Sequence, residues 1–314
     1  MELSFEIPIY RQLSYETRYP WKGDWADLIR YKFITGKEVP DCDSCPEVLR
    51  FYGEAYGRFL HWNGESLVGR KSGLSYGGDT LTSAITVFKR YLAAKIGAGE
   101  AEPLKEYFEA TKAGVLASGD LRPDKLFEVK IRYADEGGQA GIAFSQMVGE
   151  VLSEEAKKFL KNYLTLGNFL PVPPGFNSQR SNYGKWDTVD RMLYVLYGYF
   201  VEESEGTSSL ANLFLGGEKL PASVENVQKW MEDFGVSGRG MDNWCKFTEA
   251  NHFTPFLDES HRPIALKTGK AIQKTDFLSG RFAGSLLPST VAEHEIFFAN
   301  ANRCIEQRGR QAAR

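Results

Sequence analysis

Apolar residues recur at three- and four-residue steps along much of the chain, which is the spacing that places side chains on one face of an α-helix. One such stripe comprises Leu81, Ile85, Phe88, Leu92 and Ile96. A second comprises Val189, Leu193, Leu196 and Phe200. Asp79 precedes the first stripe, and its carboxylate could cap the N-terminus of that helix. The glycine-rich segment 69–78 before it is predicted to be a loop.

Caps, glycine stops and further periodic runs predict more helices along the chain. Their approximate ranges are 25–35, 46–62, 103–113, 123–134, 139–149, 153–164, 186–203, 223–234 and 241–250. A terminal helix from about 289 to 310 has acidic residues in its first turns and arginines, Arg308 among them, near its end. That order suits the helix dipole. Its apolar face contains Phe298, Ala301 and Ile305.

The segment 251–266 predicts a β-hairpin, in which residues 258–261 turn between two apolar arms. The predicted fold class is therefore α+β and predominantly α-helical. We expect a single compact body with a short C-terminal β-hairpin and a terminal helix.

The expected organisation has three parts. Residues 1–200 form the main helical body, with an Asn/Arg loop at 165–182. The segment 201–222 begins with a polar run and is predicted to be a mobile loop. Residues 223–314 contain the C-terminal helices, the hairpin and the terminal helix, and are expected to pack on the main body.

The composition is that of an ordinary globular protein, with 314 residues, 42% of them hydrophobic and 25% charged. The net charge of -3 and the pI near 5.9 supply no whole-surface positive field for nucleic acid, although a local basic patch would not change these totals. No stretch approaches the roughly eighteen apolar residues of a membrane span, and the first residues lack the regions of a signal peptide. We expect a cytoplasmic protein with no membrane partner.

Four cysteines are too few for a disulfide scaffold. Cys42 and Cys45 have the spacing of half a zinc site. The other half would need Cys245 and His252, which stand seven positions apart and outside the usual ligand spacings. We predict no metal site here. His252 and His261 flank the predicted hairpin turn and are expected to be structural.

The segment 165–180 places the amides of Asn168 and Asn177 and the guanidinium of Arg180 in a proline-stiffened loop. Asn168, Asn177 and Arg180 have planar polar heads that form directed hydrogen bonds. Either these groups lock the loop to the body of the protein or they face a ligand. This loop is the best candidate for a binding site.

Acidic residues complete the candidate site. Asp79, with Thr80 beside it, could orient a ligand or simply cap a helix. Asp187 and Asp190 stand three apart on a predicted helix, so their carboxylates share one face. This pair could supply a catalytic acid and base or hold Mg²⁺, and it could equally form a solvated ion-pair cluster with nearby cations. No other cofactor is indicated.

Four blocks follow one another between about residues 75 and 310. They are Gly78-Asp-Thr-Leu-Thr-Ser83, Leu166-Gly-Asn-Phe-Leu-Pro-Val-Pro-Pro-Gly-Phe-Asn-Ser-Gln-Arg180, Trp186-Asp187 and Ile305-Glu-Gln-Arg-Gly309. Together they resemble a family of bacterial proteins recorded only as a domain of unknown function. That resemblance implies no particular activity.

The run Gly167-Asn168-Phe169, with Asn177 after it, is also similar to part of the HNH-type nuclease domain of modification-dependent restriction enzymes. In that family a strand and a later Asn belong to a metal-binding hairpin and helix, which a catalytic His precedes closely. Residues 140–167 of this chain contain no His. The similarity therefore implies metal-dependent cleavage only if the general base comes from elsewhere.

Two functions from different classes follow from these features. The first is an enzyme, such as a hydrolase, acting on nucleic acid or nucleotides, because amides and Arg bind base edges and phosphates while aromatic residues, 13% of the chain, stack on bases. The second is a non-catalytic binding or regulatory protein that uses the same loop to contact a protein partner, for instance in a defence or toxin system. Convergence of the candidate residues in one pocket would favour the enzyme.

Overall fold

The computed structural model describes residues 46–82, 84–102, 150–163, 166–176, 188–202, 210–214, 220–273 and 286–312. The helices predicted at 25–35, 103–113, 123–134 and 139–149 lie outside these residues. Within them the protein is mixed α+β and mostly helical, as predicted.

The helices are α1 Pro46–Ala55, α2 Ala84–Gly97, α3 Glu154–Tyr163, α4 Val189–Val201, α5 Leu220–Asp233, α6 Met241–Ala250 and α7 Val291–Ala312. The strands are β1 Leu60–Trp62, β2 Leu67–Gly69, β3 Ser75–Thr80, β4 Phe169–Val172, β5 Ile264–Ala265 and β6 Lys270–Ala271. Short 3₁₀ turns cover Leu166–Asn168, Leu210–Leu213 and Thr254–Phe256.

The first four strands form one antiparallel sheet in the order β1-β2-β3-β4. This sheet corrects two predictions. The helix expected to reach residue 62 ends at Ala55, and the chain then turns into β1. The glycine-rich segment 69–78 is a loop only at residues 70–74; residues 75–78 belong to β3, in which Gly77 and Gly78 pair with Val172 and Pro171 of β4.

Asp79 lies inside β3, opposite Leu170 of β4, and is therefore not the N-cap of α2. The helix begins at Ala84. Leu92 and Ile96 of its predicted apolar face are buried, and Leu81, which precedes the helix, is buried as well.

The segment 166–172 is the second half of this strand pairing. Leu81 N–H donates to the Asn168 carbonyl at 2.7 Å, which continues the β3–β4 ladder by one residue. Phe169, Leu170 and Val172 of β4 are buried in the core. The part of the predicted Asn/Arg loop that the structure describes is thus a 3₁₀ turn, a buried strand and then a turn at 174–175.

Helices α4, α5 and α6 pack around aromatic side chains. Trp230 of α5 and Phe247 of α6 meet edge-on with ring centroids 5.0 Å apart, and Phe200 of α4 lies 5.7 Å from Phe247. Helix α4 is apolar on almost every side and is buried almost throughout, as such a helix must be. The segment 210–214 covers this cluster, with Leu210 and Leu213 buried, so this part of the predicted mobile loop is packed structure.

The terminal helix α7 completes the core, as predicted. It packs against α2, α3 and two of the 3₁₀ turns. Its buried face includes Phe297, Phe298, Ala301, Cys304 and Ile305.

The predicted hairpin is present but lies further along the chain. The turn expected at 258–261 exists, because Asp258 N–H donates to the Arg262 carbonyl and its Oδ1 accepts from Ser260 and Arg262 N–H. Only a single bridge, Leu257 with Pro263, joins the two sides of that turn. The paired strands are β5 and β6 beyond it. No helix among the described residues is long and apolar enough to cross a membrane.

Candidate functional site

Three of the predicted binding residues come together at the end of the β3–β4 pairing. Asp79 and Thr80 lie opposite Leu170 and Phe169, and Asn168 immediately precedes this register. Asp79 is 4% exposed and Asn168 is fully buried. The Asn168 amide donates to the Thr82 carbonyl at 3.3 Å, a bond that locks the chain to itself. This geometry supports the locking role for Asn168.

Asn177, Arg180 and Asp187 lie outside the described residues, so their convergence with Asp79 and Asn168 stays a prediction. Asp190 is described, and its environment is unlike that of a catalytic group. It is 1% exposed, its Oδ1 accepts from Arg191 N–H at 2.9 Å, and its Oδ2 accepts from Leu266 N–H at 3.0 Å. The carboxylate joins α4 to the C-terminal hairpin, which favours a structural role.

Burial raises the pKa of Asp190, opposed by the hydrogen bonds from Thr188, Leu266 and Arg191. In the described part of the chain, no group of three or more His, Cys, Asp or Glu side chains is arranged to hold a metal ion. The Mg²⁺ site proposed for Asp187 and Asp190 therefore stays a prediction that depends on Asp187.

A cavity of about 520 Å³ opens elsewhere, where the end of α1, the turn after α5 and the end of α6 meet. Tyr56, Phe59 and Phe234 give it aromatic walls. Phe59 and Phe234 stack with ring centroids 4.8 Å apart, and Tyr56 meets Phe234 edge-on at 5.7 Å. His252 lines the same cavity, which we call the His252 pocket.

Charged side chains stand at the mouth of the His252 pocket. Arg58, Lys246 and Glu249 line it and are all exposed. The Arg58 guanidinium lies over the Phe59 ring, 5.4 Å from its centroid. Neither cation forms an ion pair with a carboxylate of the described residues, so both charges are available to a ligand.

His252 adopts a left-handed backbone conformation, with φ of 57°, at the turn that ends α6. Its N–H donates to the Glu249 carbonyl at 3.0 Å, and its ring lies 5.6 Å from that of Tyr56. Burial, reinforced by the charge of Arg308, lowers the pKa of His252 to about 4. The imidazole is therefore neutral at pH 7, and one of its ring nitrogens can accept a hydrogen bond.

Arg308 lies beneath the floor of the His252 pocket. Its guanidinium donates to Tyr56 Oη at 2.8 Å and to the carbonyls of Gly167 at 2.9 Å, Phe169 at 2.7 Å and Asn251 at 3.2 Å. The side chain is fully buried and joins α7 to three other segments. Its charge adds to the positive potential at the base of the pocket.

The sequence analysis did not predict this site, although the position of Arg308 in the sequence was one indication of it. Arg308 stands three positions after Ile305, on the helical stripe that was predicted to be buried, but it was interpreted only as a cation that suits the helix dipole. No local pattern brings 55–59, 234–235 and 246–252 together, because their contact depends on the tertiary fold.

Comparison with protein-family models, with curated proteins and with solved structures finds no match to this chain. The resemblance to the family of unknown function and the similarity to HNH-type nucleases stay predictions. The structure places Gly167 and Asn168 in a 3₁₀ turn and Phe169 at the start of β4. The site is therefore interpreted from its own geometry.

Proposed function

We propose that this protein binds a nucleotide unit, a base together with its phosphate, in the His252 pocket. One observation carries the proposal: the pocket combines aromatic walls with two cations at its mouth that form no ion pair with any described carboxylate. Stacking of a base on an aromatic side chain contributes about 1–3 kcal/mol, and any base can provide the π-face. Phe59, which is only partly buried, offers that surface, and the buried rings of Tyr56 and Phe234 support it from behind.

The charges of the pocket favour an anion. Arg58 and Lys246 stand at its mouth and Arg308 beneath its floor, against the single carboxylate of Glu249 among the lining residues. A phosphate would be attracted by this excess of positive charge. Glu249 is free of any ion pair within the described ranges and could accept hydrogen bonds from the N–H groups of a base.

A hydrolytic form of this function, which matches the enzyme expected from the sequence, is favoured by His252. Its neutral imidazole lies in the same pocket as the cations and could hold, as a hydrogen-bond acceptor, a water molecule that attacks a phosphate. Its left-handed backbone is of the kind that persists where surrounding structure enforces it, often at functional sites. Asn tolerates this conformation, so His252→Asn should preserve the pocket while removing the imidazole.

Isothermal titration with the four common ribonucleoside monophosphates tests the binding proposal. We expect millimolar or tighter binding by the wild type, and an affinity loss of at least fivefold for Phe59→Ala and for Lys246→Gln. Lys157→Gln is the matched control, because Lys157 lies on α3 and does not line the pocket. Absence of binding by the wild type, or affinities unchanged in both pocket variants, would overturn the proposal.

For the hydrolytic form, turnover of nucleoside triphosphates and of short oligonucleotides is measured for the wild type and for His252→Asn. Loss of turnover with retained nucleotide binding is the expected result. Equal turnover by the variant would remove His252 from the chemistry and leave a binding protein.

A further inference from the structure

Two more cations stand directly beside the His252 pocket, on the turn between β2 and β3. Arg70 N–H donates to the Phe59 carbonyl at 2.9 Å, and its Nε donates to the Gly57 carbonyl at 2.7 Å. Lys71 N–H donates to Asp233 Oδ1 at 2.8 Å, and Asp233 immediately precedes Phe234 in the pocket wall. The turn therefore forms a continuation of the wall that carries the Phe59 and Phe234 rings.

Asp233 holds this turn in place. Its carboxylate also accepts from Ser72 N–H at 2.8 Å, from the Ser72 hydroxyl and from Tyr76 Oη at 2.8 Å. Gly69 fits against it so closely that a Cβ there would overlap the carboxylate. Since Asp233 is 2% exposed and its oxygens are occupied by these donors, it fixes the backbone of Lys71 without forming an ion pair with its ammonium group.

Arg58, Arg70 and Lys71 thus form a row of exposed cations that begins at the pocket and runs onto the β2–β3 turn. We call it the basic rim. Among the residues that the structure describes, none of the three is ion-paired with a carboxylate. Five other lysines each have a Glu partner: Lys95, Lys157, Lys158, Lys229 and Lys267. The unpaired row is a local basic patch on a protein whose net charge is -3.

We infer that the His252 pocket holds one base of a single-stranded nucleic acid whose neighbouring phosphates lie along the basic rim. This inference rests on the proposed nucleotide binding and specifies its ligand. A mononucleotide ends at its own phosphate, which Arg58 and Lys246 can contact, and leaves Arg70 and Lys71 without a partner. A nucleic-acid strand has further phosphates that would lie beside the β2–β3 turn. There Arg70 and Lys71 would replace the counterions of the nucleic-acid backbone, and the release of these counterions favours binding.

A single strand fits better than a duplex, because a base must be unstacked before it can enter an aromatic pocket. Proteins that bind single strands combine a positively charged track with stacking side chains, and the basic rim and the His252 pocket supply both parts. An acidic protein segment would use the basic rim without needing the aromatic walls.

The test compares mononucleotides with a ten-residue single strand, as DNA and as RNA, measured by titration calorimetry and fluorescence anisotropy. We expect the wild type to bind the oligonucleotide at least tenfold more tightly than the corresponding mononucleotide. The double variant Arg70→Gln/Lys71→Gln should lose at least tenfold in oligonucleotide affinity, while its mononucleotide affinity stays within twofold. Lys157→Gln again serves as control.

Salt dependence provides an independent readout. Each phosphate contact on a single strand contributes about 0.7 to the slope of log affinity against log salt concentration, so the double variant should have a slope shallower by about 1.4. The single variant Lys71→Gln keeps the Arg70 bond to Gly57 and should make the slope shallower by about half as much as the double variant does. The single variant thus tests the inference even if the double variant is less stable.

The outcomes separate the inference from the proposed function. If mononucleotides bind but the oligonucleotide binds no more tightly, the inferred strand binding is wrong and the proposed nucleotide binding is unaffected. The same holds if the oligonucleotide affinity and its salt dependence are unchanged in the double variant. If a duplex of the same sequence binds as tightly, or poly-glutamate competes as well as the single strand, the single-strand assignment is overturned. If no mononucleotide binds either, the proposed function fails with it.

Discussion

Gly167, in the 3₁₀ turn before β4, lies in close contact with the backbone of the terminal helix. A Cβ built there would overlap the Ile305 carbonyl oxygen of α7, and a backbone atom cannot move aside as a flexible side chain can. The same position presents its own carbonyl to Arg308 at 2.9 Å. Glycine is required here for close contact between two backbones.

Gly167→Ala should therefore destabilise the protein by about 1–3 kcal/mol, the usual range for overpacking a core. The matched control is Gly97→Ala at the end of α2, where a Cβ would meet nothing within 4 Å. The control should be neutral or stabilising by up to about 1 kcal/mol, because Ala favours the helix. Urea unfolding of both variants checks this, and equal stabilities would show that α7 can shift to accept the methyl group.

The sequence predicts the role of a single residue only where that role depends on residues nearby in the chain. Asn168 was recognised as a group that could lock its segment, and its bond to the Thr82 carbonyl is of that kind. Asp79 was misassigned as a helix cap, because a strand partner about ninety residues later cannot be seen from its neighbours. Asp233 and Arg308 carry no local signal for the partners that they bind.

At the scale of elements, the helices were predicted well and the strands poorly. Helices α3 and α6 lie within a residue or so of their predicted ranges, because helical hydrogen bonds are local and the apolar period records the buried face. Strands β1 and β2 have three residues each, too few to show alternation. Strand β3 contains Gly77 and Gly78, which are typical of turns, and becomes a strand only by pairing with β4.

The terminal helix gives the prediction that belongs to this scale. Deleting residues 289–314 removes Phe297, Phe298 and Ile305 from the core, and each fully buried side chain contributes about 1.5–3 kcal/mol. That loss approaches the entire free energy of unfolding of a typical domain, so the truncated chain should be insoluble or unfolded.

Deleting only residues 311–314 is the control. It removes the Gln311 bond to Thr254 and little else among the described contacts, at a cost of about 1 kcal/mol. Circular dichroism and solubility distinguish the two truncations. A soluble protein ending at residue 288 with an unchanged cooperative melt would show that α7 is peripheral.

At the scale of the whole molecule, the His252 pocket is a product of tertiary structure. Its walls come from three segments that are separated by as much as about two hundred positions, and none of them has a recognisable motif. The sequence shows that the chain is rich in aromatic residues and contains basic groups. The place where these groups meet is determined by the packing of α1, α5 and α6.

Acid stability is a property of the whole molecule that two histidines should control, the buried His294 and the partly buried His252. Burial lowers the pKa of His294, like that of His252, from 6.5 to about 4. Between pH 6.5 and about 4 the unfolded chain binds protons that the folded chain excludes. The free energy of unfolding that depends on these two histidines is therefore fully present above pH 6.5 and decreases as the pH drops toward 4.

His294→Asn should flatten this dependence. Asn can still donate to the Thr290 carbonyl, which His294 Nδ1 contacts at 2.8 Å, but it does not titrate. The slope of unfolding free energy against pH should decrease by up to about 1.4 kcal/mol per pH unit in this window, the value of one proton. Urea unfolding at pH 7, 6 and 5 measures the slope, and parallel curves for variant and wild type would contradict the expectation.

The bond between Arg308 and Tyr56 also sets an order of events during translation. The two residues stand 252 positions apart, so at about 5–20 residues per second a ribosome needs roughly 13–50 s to add Arg308 after Tyr56. Until then the Tyr56 hydroxyl lacks the guanidinium, as do the Gly167 and Phe169 carbonyls once they have been made. These polar groups must find other partners during synthesis, and the base of the His252 pocket is complete only after synthesis of α7.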